Sequence, residues 1–507
     1  MTSLLLSLFL LQGAAGTASF TTPHLSHADG VQRVSLNGTT FANQGLVGAG
    51  RLSAQTVDFL GDTLGSFSSL AIERNSWRRV GEHYEGVLWT LPDRGRNNPA
   101  AKLFYDYPAR LNRFRIRFAP YRGKPLPADV TSQRQLNIVP DGGIELRDFD
   151  GQPFTGADPA SHTRLEHGIV LPSPNQGTTG AGKISLDAES LQFTADGSFY
   201  VGDEYAANVY FFGADGRLRG VIAPPPAIVP RTHGQLDFGS LAAPDTGRRN
   251  NQGVEGMSLS PDGKRLFVAL QSALMQDSAH GDASGRIDAR VLVYDVSAQV
   301  TPAQPIAHYV IQLPSYTKQG DGKPANATAA QSEIRALNQH QFLMLSRDGN
   351  GLGADNTKPI VSKSVLLVDT DSASNLAGSA YETGTASVLA SPDGTALKPG
   401  IAPLHWIELV NLLDTAQLAR FGMNLATQPK NQPLTLSEKW EAMDLRPALD
   451  PARPDDYFLF VGNDNDFIAR HCVMDGQRCD SAFDNDNLIL VYRLRLPGMQ
   501  RGGGAAP

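Results

Sequence analysis

Residues Glu189 to Glu204 read ESLQFTADGSFYVGDE. Carboxylates stand at both ends, Asp196-Gly197 lies in the middle, and apolar residues fill the space between. An Asp-Gly pair tolerates φ > 0 and favours a tight turn between two short strands. Folded about that turn, the stretch brings Glu189 back beside Asp203 and Glu204, at the open end of a hairpin whose body is apolar.

The recurrence of this unit decides the fold. EGMSLSPDGKRLFVALQ starts at Glu255, EIRALNQHQFLMLSRDGNG at Glu333 and EAMDLRPALDPARPDDYFLFVGNDND at Glu441. A weaker copy, SLAIERNSWRRVGEHYEGVLWTLPDRG, starts at Ser69 and has no leading Glu. A third apolar strand follows each hairpin: RFRIRF from Arg113, NVYFFG from Asn208, RVLVYDV from Arg290, SVLLVD from Ser364 and NLILVYRL from Asn487. Repeated antiparallel sheets separated by variable insertions are the mark of a β-propeller. The sequence therefore predicts an all-β chain with a single β-propeller domain over residues 30–496, built from five or six four-stranded blades. Five copies are recognisable, and strands around Val31 to Leu60 and at the C-terminus are available for a sixth. In HWIELVNLLDTAQLARFG, from His405, the spacing of Ile407, Leu409 and Leu413 predicts a short helical insertion. Residues 497–507 read as a flexible tail.

In a propeller blade the innermost strand begins, and the second strand ends, on the same face of the disc. That geometry sets Glu189 beside Asp203 and Glu204, Glu255 beside Gln271, Glu333 beside Arg347 and Asp348, Glu441 beside Asn463 and Asp464, and Ser69 beside Asp93 and Arg94. All of them converge on one mouth of the central channel. Clustered carboxylates need a cation, an arginine or a proton to compensate them. Oxygen donors from Asp, Glu and Asn suit calcium or magnesium better than zinc or copper. Glu189, Asp203, Glu204, Glu441, Asp464 and Asp466 are the expected ligands, with Ca²⁺ the expected ion. Asp93, Asn251, Glu333, Asp348 and Asn463 are further polar candidates at that mouth. NDNDF at Asn463 to Phe467 and DSAFDNDN at Asp480 to Asn487 fit either calcium or turns made through side-chain to backbone bonds. Neither matches an EF-hand loop.

Other classes drop out by composition and motif. A formal charge of -7 without a concentrated Lys/Arg run argues against holding a nucleic-acid backbone. No G-x-S-x-G elbow, G-x-x-x-x-G-K-[ST] loop, H-E-x-x-H or strand-to-helix G-x-G-x-x-G is present. His83, His233 and His471 are isolated among polar residues. The N-terminal MTSLLLSLFLLQGAAGTASF resembles a secretory signal peptide over residues 1–19, although no Lys or Arg precedes Arg33. An N-terminal strand is the other reading of that segment. No later stretch reaches the roughly 20 apolar residues of a transmembrane helix. The expected location is periplasmic or extracellular. Cys472 and Cys479 are the only cysteines. In an exported chain they read as a disulfide, and otherwise as two separate thiols.

Five motifs occur in order: SFSSLAIER with DRG, LDAESLQFTADGSFYVGDEY, NQGVEGMSLSPDG, SEIRALNQHQFLMLSRDG, and KWEAMDLRP with NDNDF. On them the chain resembles the phytase-like family, described by an esterase-like activity of phytase and composed mostly of exported bacterial proteins, from about Gly65 to Leu494. The resemblance implies a propeller that hydrolyses small-molecule phosphate esters. In the reading of an exported, Ca²⁺-dependent hydrolase, Glu255 works with bound cations, and Arg94 and Arg347 neutralise charge on the transferred group. The D-D-P-A-I signature of β-propeller phytases is missing, which separates this chain from those enzymes. EGMSLSPDGKRLFVA also resembles the gluconolactonase type of repeat. A lactonase-like metal hydrolase and a non-catalytic binding propeller with structural calcium are the alternatives.

Overall fold

In the computed structural model, which describes residues 18–279 and 283–500, every repeated hairpin is the inner half of an antiparallel sheet. Blade 1 runs outward through Ser69–Ile72, His83–Leu91, Arg110–Phe118 and Leu136–Glu145. Blade 2 is Ala188–Phe193, Phe199–Asp203, Val209–Phe212 and Leu218–Ile222. Blade 3 is Val254–Leu259, Arg265–Ala273, Asp288–Asp295 and Ala307–Gln312. Blade 4 is Ala330–Ala336, Gln341–Arg347, Lys363–Asp369 and His405–Asn411. Blade 5 starts with Lys439–Pro447, Asp456–Asp464 and Asn487–Arg495, and is completed from the other end of the chain by Thr39–Leu52 and Gln32–Leu36.

Among the described residues the blades number five, because the strands available for a sixth extend the fifth. Thr39–Leu52 pairs antiparallel with Asn487–Arg495, from Ala42 opposite Arg495 to Leu52 opposite Asn487. The ring is thus closed by hydrogen bonds between the two ends of the domain. Each inner strand also packs on the inner strands of both neighbouring blades, so the innermost layer is itself a closed circle.

Alternation along the strands fills the wedges between blades with apolar side chains. Leu111 and Trp89 meet Leu191 and Val201 between blades 1 and 2, and Val209 meets Val254 and Leu266 between blades 2 and 3. Val291 meets Ile334 and Met344 between blades 3 and 4. Leu343 and Leu367 meet Trp440 and Leu459 between blades 4 and 5, and Leu70 and Phe114 meet Phe460 and Val491 across the closure. The hairpin turns form as the Asp-Gly pairs predict, with Gly197 at φ 88° and Gly263 at φ 73°.

The helix expected from His405 is corrected. His405–Asn411 is the outer strand of blade 4, paired with Lys363–Asp369. Only Thr415–Ala419 is helical, started by Asp414, whose side chain accepts the Gln417 N–H. Trp406, Ile407 and Val410 suit a pleated surface, and an unpaired sheet edge beside them outweighs the helical spacing. Residues 1–17 of the expected leader and 501–507 of the expected tail lie outside the described residues. Ser19–Phe20 pairs in parallel with Ser315–Tyr316.

Candidate functional site

The inner strands do not run straight into the mouth. Their register jumps between Ala188 and Ser190, Val254 and Gly256, Gln331 and Glu333, and Trp440 and Ala442. One residue in each is therefore bulged: Glu189, Glu255, Ser332 and Glu441. A bulge leaves that residue out of the ladder and re-aims its side chain. In blade 1 Ser68 holds the equivalent place, its N–H reaching the carbonyl of Leu91, the residue opposite Ser69. Opposite this ring, at or within two residues of the ends of the second strands, stand Asp93, Glu204, Gln271, Arg347 and Asp464. Two stacked rings of polar side chains thus line the mouth.

Glu333 departs from the repeat by one residue. Its blade puts Ser332 at the bulge and Glu333 one step further in, level with Ser69, Ser190, Gly256 and Ala442. A single-residue offset redirects a strand side chain. The Glu333 carboxylate consequently bonds between blades. Oε2 accepts from Ser69 Oγ at 2.7 Å, and Oε1 accepts the N–H groups of Ile334 and Met257 at 2.9 and 3.2 Å.

Around the mouth the structure gathers Asp93, Asp187, Glu189, Glu204, Glu255, Glu441, Asp464 and Asp466, with Arg94, Arg347 and Lys439 in ion pairs with them, Arg248 acting on Glu204 and the buried Glu438 on Asp466. Arg94 Nη1 lies 2.8 Å from Asp187 Oδ2, and its guanidinium sits 5.6 and 5.7 Å from the ring centres of Phe104 and Tyr205. Arg347 pairs with Glu441, and its Nε donates to Ser332 Oγ at 3.1 Å. Lys439 Nζ is 3.1 Å from Asp464 Oδ2 and 2.6 Å from Asp466 Oδ1. Glu255 Oε1 accepts from Gln271 Nε2. Glu204 Oε1 and Glu255 Oε2 are buried with no hydrogen-bond partner among the described residues.

The carboxylates outnumber these cations about two to one, which leaves a large excess of buried negative charge. Burial and the charge of Glu255 push Glu189 well above the carboxylate range, and burial and Glu204 do the same to Glu255. Burial, with Asp187 adding to it, pushes Glu204 up to about 8. Burial also raises Asp464 to about 6 despite the neighbouring Lys439 ammonium. Such a site holds either protons or metal ions. Its donors are all hard oxygens, as calcium requires. Two groups of three, Asp93 with Asp187 and Glu189 and Asp93 with Asp464 and Asp466, each offer oxygens lying within 4.8 Å of one another.

The expected ligand Asp203 and the further candidates Asp348 and Asn463 are engaged in other contacts. Asp203 is committed to a turn: Oδ1 accepts the N–H groups of Tyr205 and Asp187 at 3.1 and 3.2 Å, and Oδ2 that of Ala206 at 2.8 Å. Asp348 is paired with the buried Lys363 Nζ at 2.7 Å. Asn463 Nδ2 donates to Ser437 Oγ and the Asp486 carbonyl, while its Oδ1 accepts the Leu488 N–H. Asn251, at φ 50°, lies in the loop before blade 3 with a buried Oδ1 that has no partner among the described residues. In DSAFDNDN, Asp484 accepts the Arg470 N–H and Asp486 pairs with Arg51 at 2.8 Å, so that segment makes turns and an ion pair. His83 lies 3.2 Å from Glu85 at the far end of blade 1, and His233 is in an exposed turn. A groove of about 570 Å³ lined by Arg78, Arg115 and Arg117 also lies on blade 1 and shares no residue with the mouth. Cys472 and Cys479 are joined in a disulfide.

Sequence reasoning missed Asp187 and Lys439. Each stands two residues before a repeated glutamate, Glu189 or Glu441. The strand period of two, applied backward from those glutamates, was the signal that could have found them.

The chain belongs to the phytase-like family: the model described as esterase-like activity of phytase matches residues 63–467. An uncharacterized secreted protein of Arthroderma benhamiae is 33% identical over 515 residues, covering 93% of this chain and 97% of that protein. This relative is fungal, so it lends nothing to a bacterial origin. Among solved structures, the Cps50 (Swd1) β-propeller domain of Myceliophteria thermophila matches at 8% identity and TM-score 0.22, covering 54% of this chain and 65% of that one. The WD40 domain of Toxoplasma gondii coronin matches at 8% identity and TM-score 0.27, covering 95% and 89%. At these scores the propeller assignment rests on the chain's own sheet topology.

Proposed function

We propose that the protein is an exported, calcium-dependent hydrolase of small phosphate esters, working at the acidic mouth of the propeller. The observation that carries this reading is the excess of buried carboxylates over cations at the mouth, with Glu204 Oε1 and Glu255 Oε2 left without partners among the described residues. Asp93, Asp187, Glu189, Glu204, Glu255, Glu441, Asp464 and Asp466 would hold the cation charge. When bound, calcium supplies polarisation of a phosphoryl oxygen and a more acidic water.

The chain's own residues supply the rest. Arg94 and Arg347 are fixed by Asp187 and Glu441, so their positive charge stands ready to orient an anionic group. Arg94 Nε is buried and has no hydrogen-bond partner among the described residues. Phe104 and Tyr205 flank that guanidinium and limit its rotation. Gln271 holds Glu255 in place through Oε1 and leaves Oε2 facing the cluster.

The family and the secreted fungal relative support this reaction class and this location. Among the described residues no helix is long and apolar enough to cross a membrane. The test is a panel of phosphate monoesters, phosphodiesters, a carboxylic ester and a lactone, run with calcium and with chelator beside the Glu255→Gln variant. Calcium-dependent monoester or diester cleavage, reduced on the order of 100-fold in Glu255→Gln, is expected. Cleavage of the lactone alone, or calcium binding without any turnover, would replace this reading with the lactonase-like or the binding propeller.

A further inference from the structure

The two groups of three carboxylates resemble a pair of metal positions bridged by Asp93. They are not equivalent. Around Asp464 and Asp466 an ammonium is already in place, for Lys439 Nζ is 3.1 Å from one and 2.6 Å from the other. Its backbone fixes it there, because Lys439 is the cross-strand partner of Asp464. Asp464 Oδ1 is further engaged by the Asp466 N–H at 2.7 Å, which ties the two carboxylates into one turn around the lysine.

Among the described residues Arg94 is the cation in direct contact with Asp187, its planar head reaching it from the side of Phe104 and Tyr205, while Lys439 acts on Asp187 only from further off. Glu189 has no hydrogen bond or ion pair among the described residues. Two buried oxygens of the mouth without hydrogen-bond partners belong to glutamates that also act on this group. Glu204, 2% exposed, interacts with Asp187, and Glu255, also 2% exposed, interacts with Glu189. Their Oε1 and Oε2 atoms respectively have no partner among the described residues. A buried carboxylate oxygen without a donor is costly unless a proton or a ligand meets it, and a ligand that displaces the proton here must carry positive charge.

We propose that the mouth takes one divalent cation, on Asp93, Asp187 and Glu189, and that the Lys439 ammonium permanently fills the second position on Asp464 and Asp466. The proposal rests on the reading of the mouth as a cation site. It makes the centre mononuclear, with a tethered organic cation in place of a second metal. An anionic substrate would then lie between a divalent ion on one side and a single positive charge on the other. Because Lys439 cannot diffuse away, the second position would not empty under a chelator.

The experiment counts calcium ions. Full-length protein is freed of metal, titrated calorimetrically with Ca²⁺, and its bound calcium is measured by elemental analysis after equilibrium dialysis. Wild type should bind one ion per chain at the mouth. Lys439→Met, which keeps the side chain's length and removes its charge, should bind two, whereas Lys439→Arg should stay at one. Asp93→Asn should weaken the wild-type ion at least tenfold. Two ions in wild type, or one in folded Lys439→Met, overturns the proposal and leaves the cation site standing. No bound calcium in any variant overturns the cation reading together with the proposal. Should Lys439→Met fail to fold by circular dichroism, Lys439→Gln takes its place, and the wild-type count already decides against the proposal if it is two.

Discussion

Glu333 and Ser69 join opposite parts of the ring: Ser69 Oγ donates to Glu333 Oε2 at 2.7 Å while accepting the Leu191 N–H at 3.1 Å. One carboxylate thereby links the inner strands of blades 1, 2 and 4 and, through Met257, blade 3. It is a structural tie, placed where the repeat suggested a ligand.

That tie makes stability depend on pH. Burial raises Glu333 from its ordinary 4.5 to about 8. A group whose folded pKa is raised binds more protons when folded. Its contribution to stability is therefore complete below pH 4.5 and is lost as pH rises through about 8. A tenfold difference in proton affinity between the folded and unfolded chain corresponds to about 1.4 kcal/mol, so the loss is on the order of a few kcal/mol. Glu333→Gln keeps the acceptor and removes the titration. In thermal melts with chelator, wild type should lose more stability between pH 5 and 9 than the variant does. Parallel profiles would show that Glu333 does not titrate in that window.

How far the sequence reveals this molecule depends on the range of the signal. Asp196-Gly197 and Asp262-Gly263 are local, and both hairpins form where those pairs stand. The closure of blade 5 by Thr39–Leu52 joins residues more than 400 positions apart in the chain, and nothing near Thr39 announces Asn487. The site is legible as far as the glutamates repeat. It fails at Glu333 because a bulge shifts register by one residue without leaving a mark in the pattern. It fails at Lys439 because a basic residue does not look like part of an acidic site. At His405 the helical spacing is real, but the free edge of Lys363–Asp369 decides the outcome.

A second buried pair separates scaffold from site. Asp348 and Lys363 have fully buried side chains, 2.7 Å apart. Asp348 also accepts the N–H groups of Ser362 and Val361. Removing one partner of such a pair leaves an uncompensated buried charge and costs about 3–5 kcal/mol. Lys363→Met should lower stability by that order in denaturant titrations, and Lys363→Met with Asp348→Asn should recover part of it. Calcium affinity of the folded fraction should be unchanged. A variant as stable as wild type, or one stable but unable to bind calcium, would move Asp348 back among the ligands.

Gly65 couples the first blade to the acidic turn. At φ 71° it stands where a Cβ would lie 1.8 Å from Cε1 of Phe467, the residue after Asp466. Phe467 is itself held at φ 53° and packed against Tyr107. Gly65→Ala must push this ring and adopt a strained backbone at once. The variant should melt lower, and Asp466, moved with Phe467, should hold Lys439 less firmly. If the lysine fills the second position, Gly65→Ala should take up extra calcium at high concentration. An unchanged melting curve would mean that the ring moves aside freely.

The mouth itself predicts proton release. Without metal, Glu204 is raised to about 8 and Asp464 to about 6, while Glu189 and Glu255 stand well above the carboxylate range. At pH 7 Glu204 is therefore largely protonated in the folded protein, and burial biases Glu189 and Glu255 toward their neutral forms. A calcium ion needs their ionised form, so binding must expel protons. Calorimetric titrations with calcium at pH 7, in buffers of different ionisation enthalpy, should give heats that differ in proportion to those enthalpies. The slope is the number of protons released, and its sign should be release. Apparent affinity should tighten as pH rises from 6 toward 9, because fewer protons remain to be displaced. The same linkage acts on stability. In chelator, the protein should weaken as pH climbs through about 8, where Glu204 gives up its proton and is left charged beside Asp187. Calcium at that pH should restore the loss by binding only the folded state. Heats independent of buffer, with affinity flat in pH, would mean that the carboxylates are already ionised before calcium arrives and that Arg94, Arg347 and Lys439 compensate the mouth on their own.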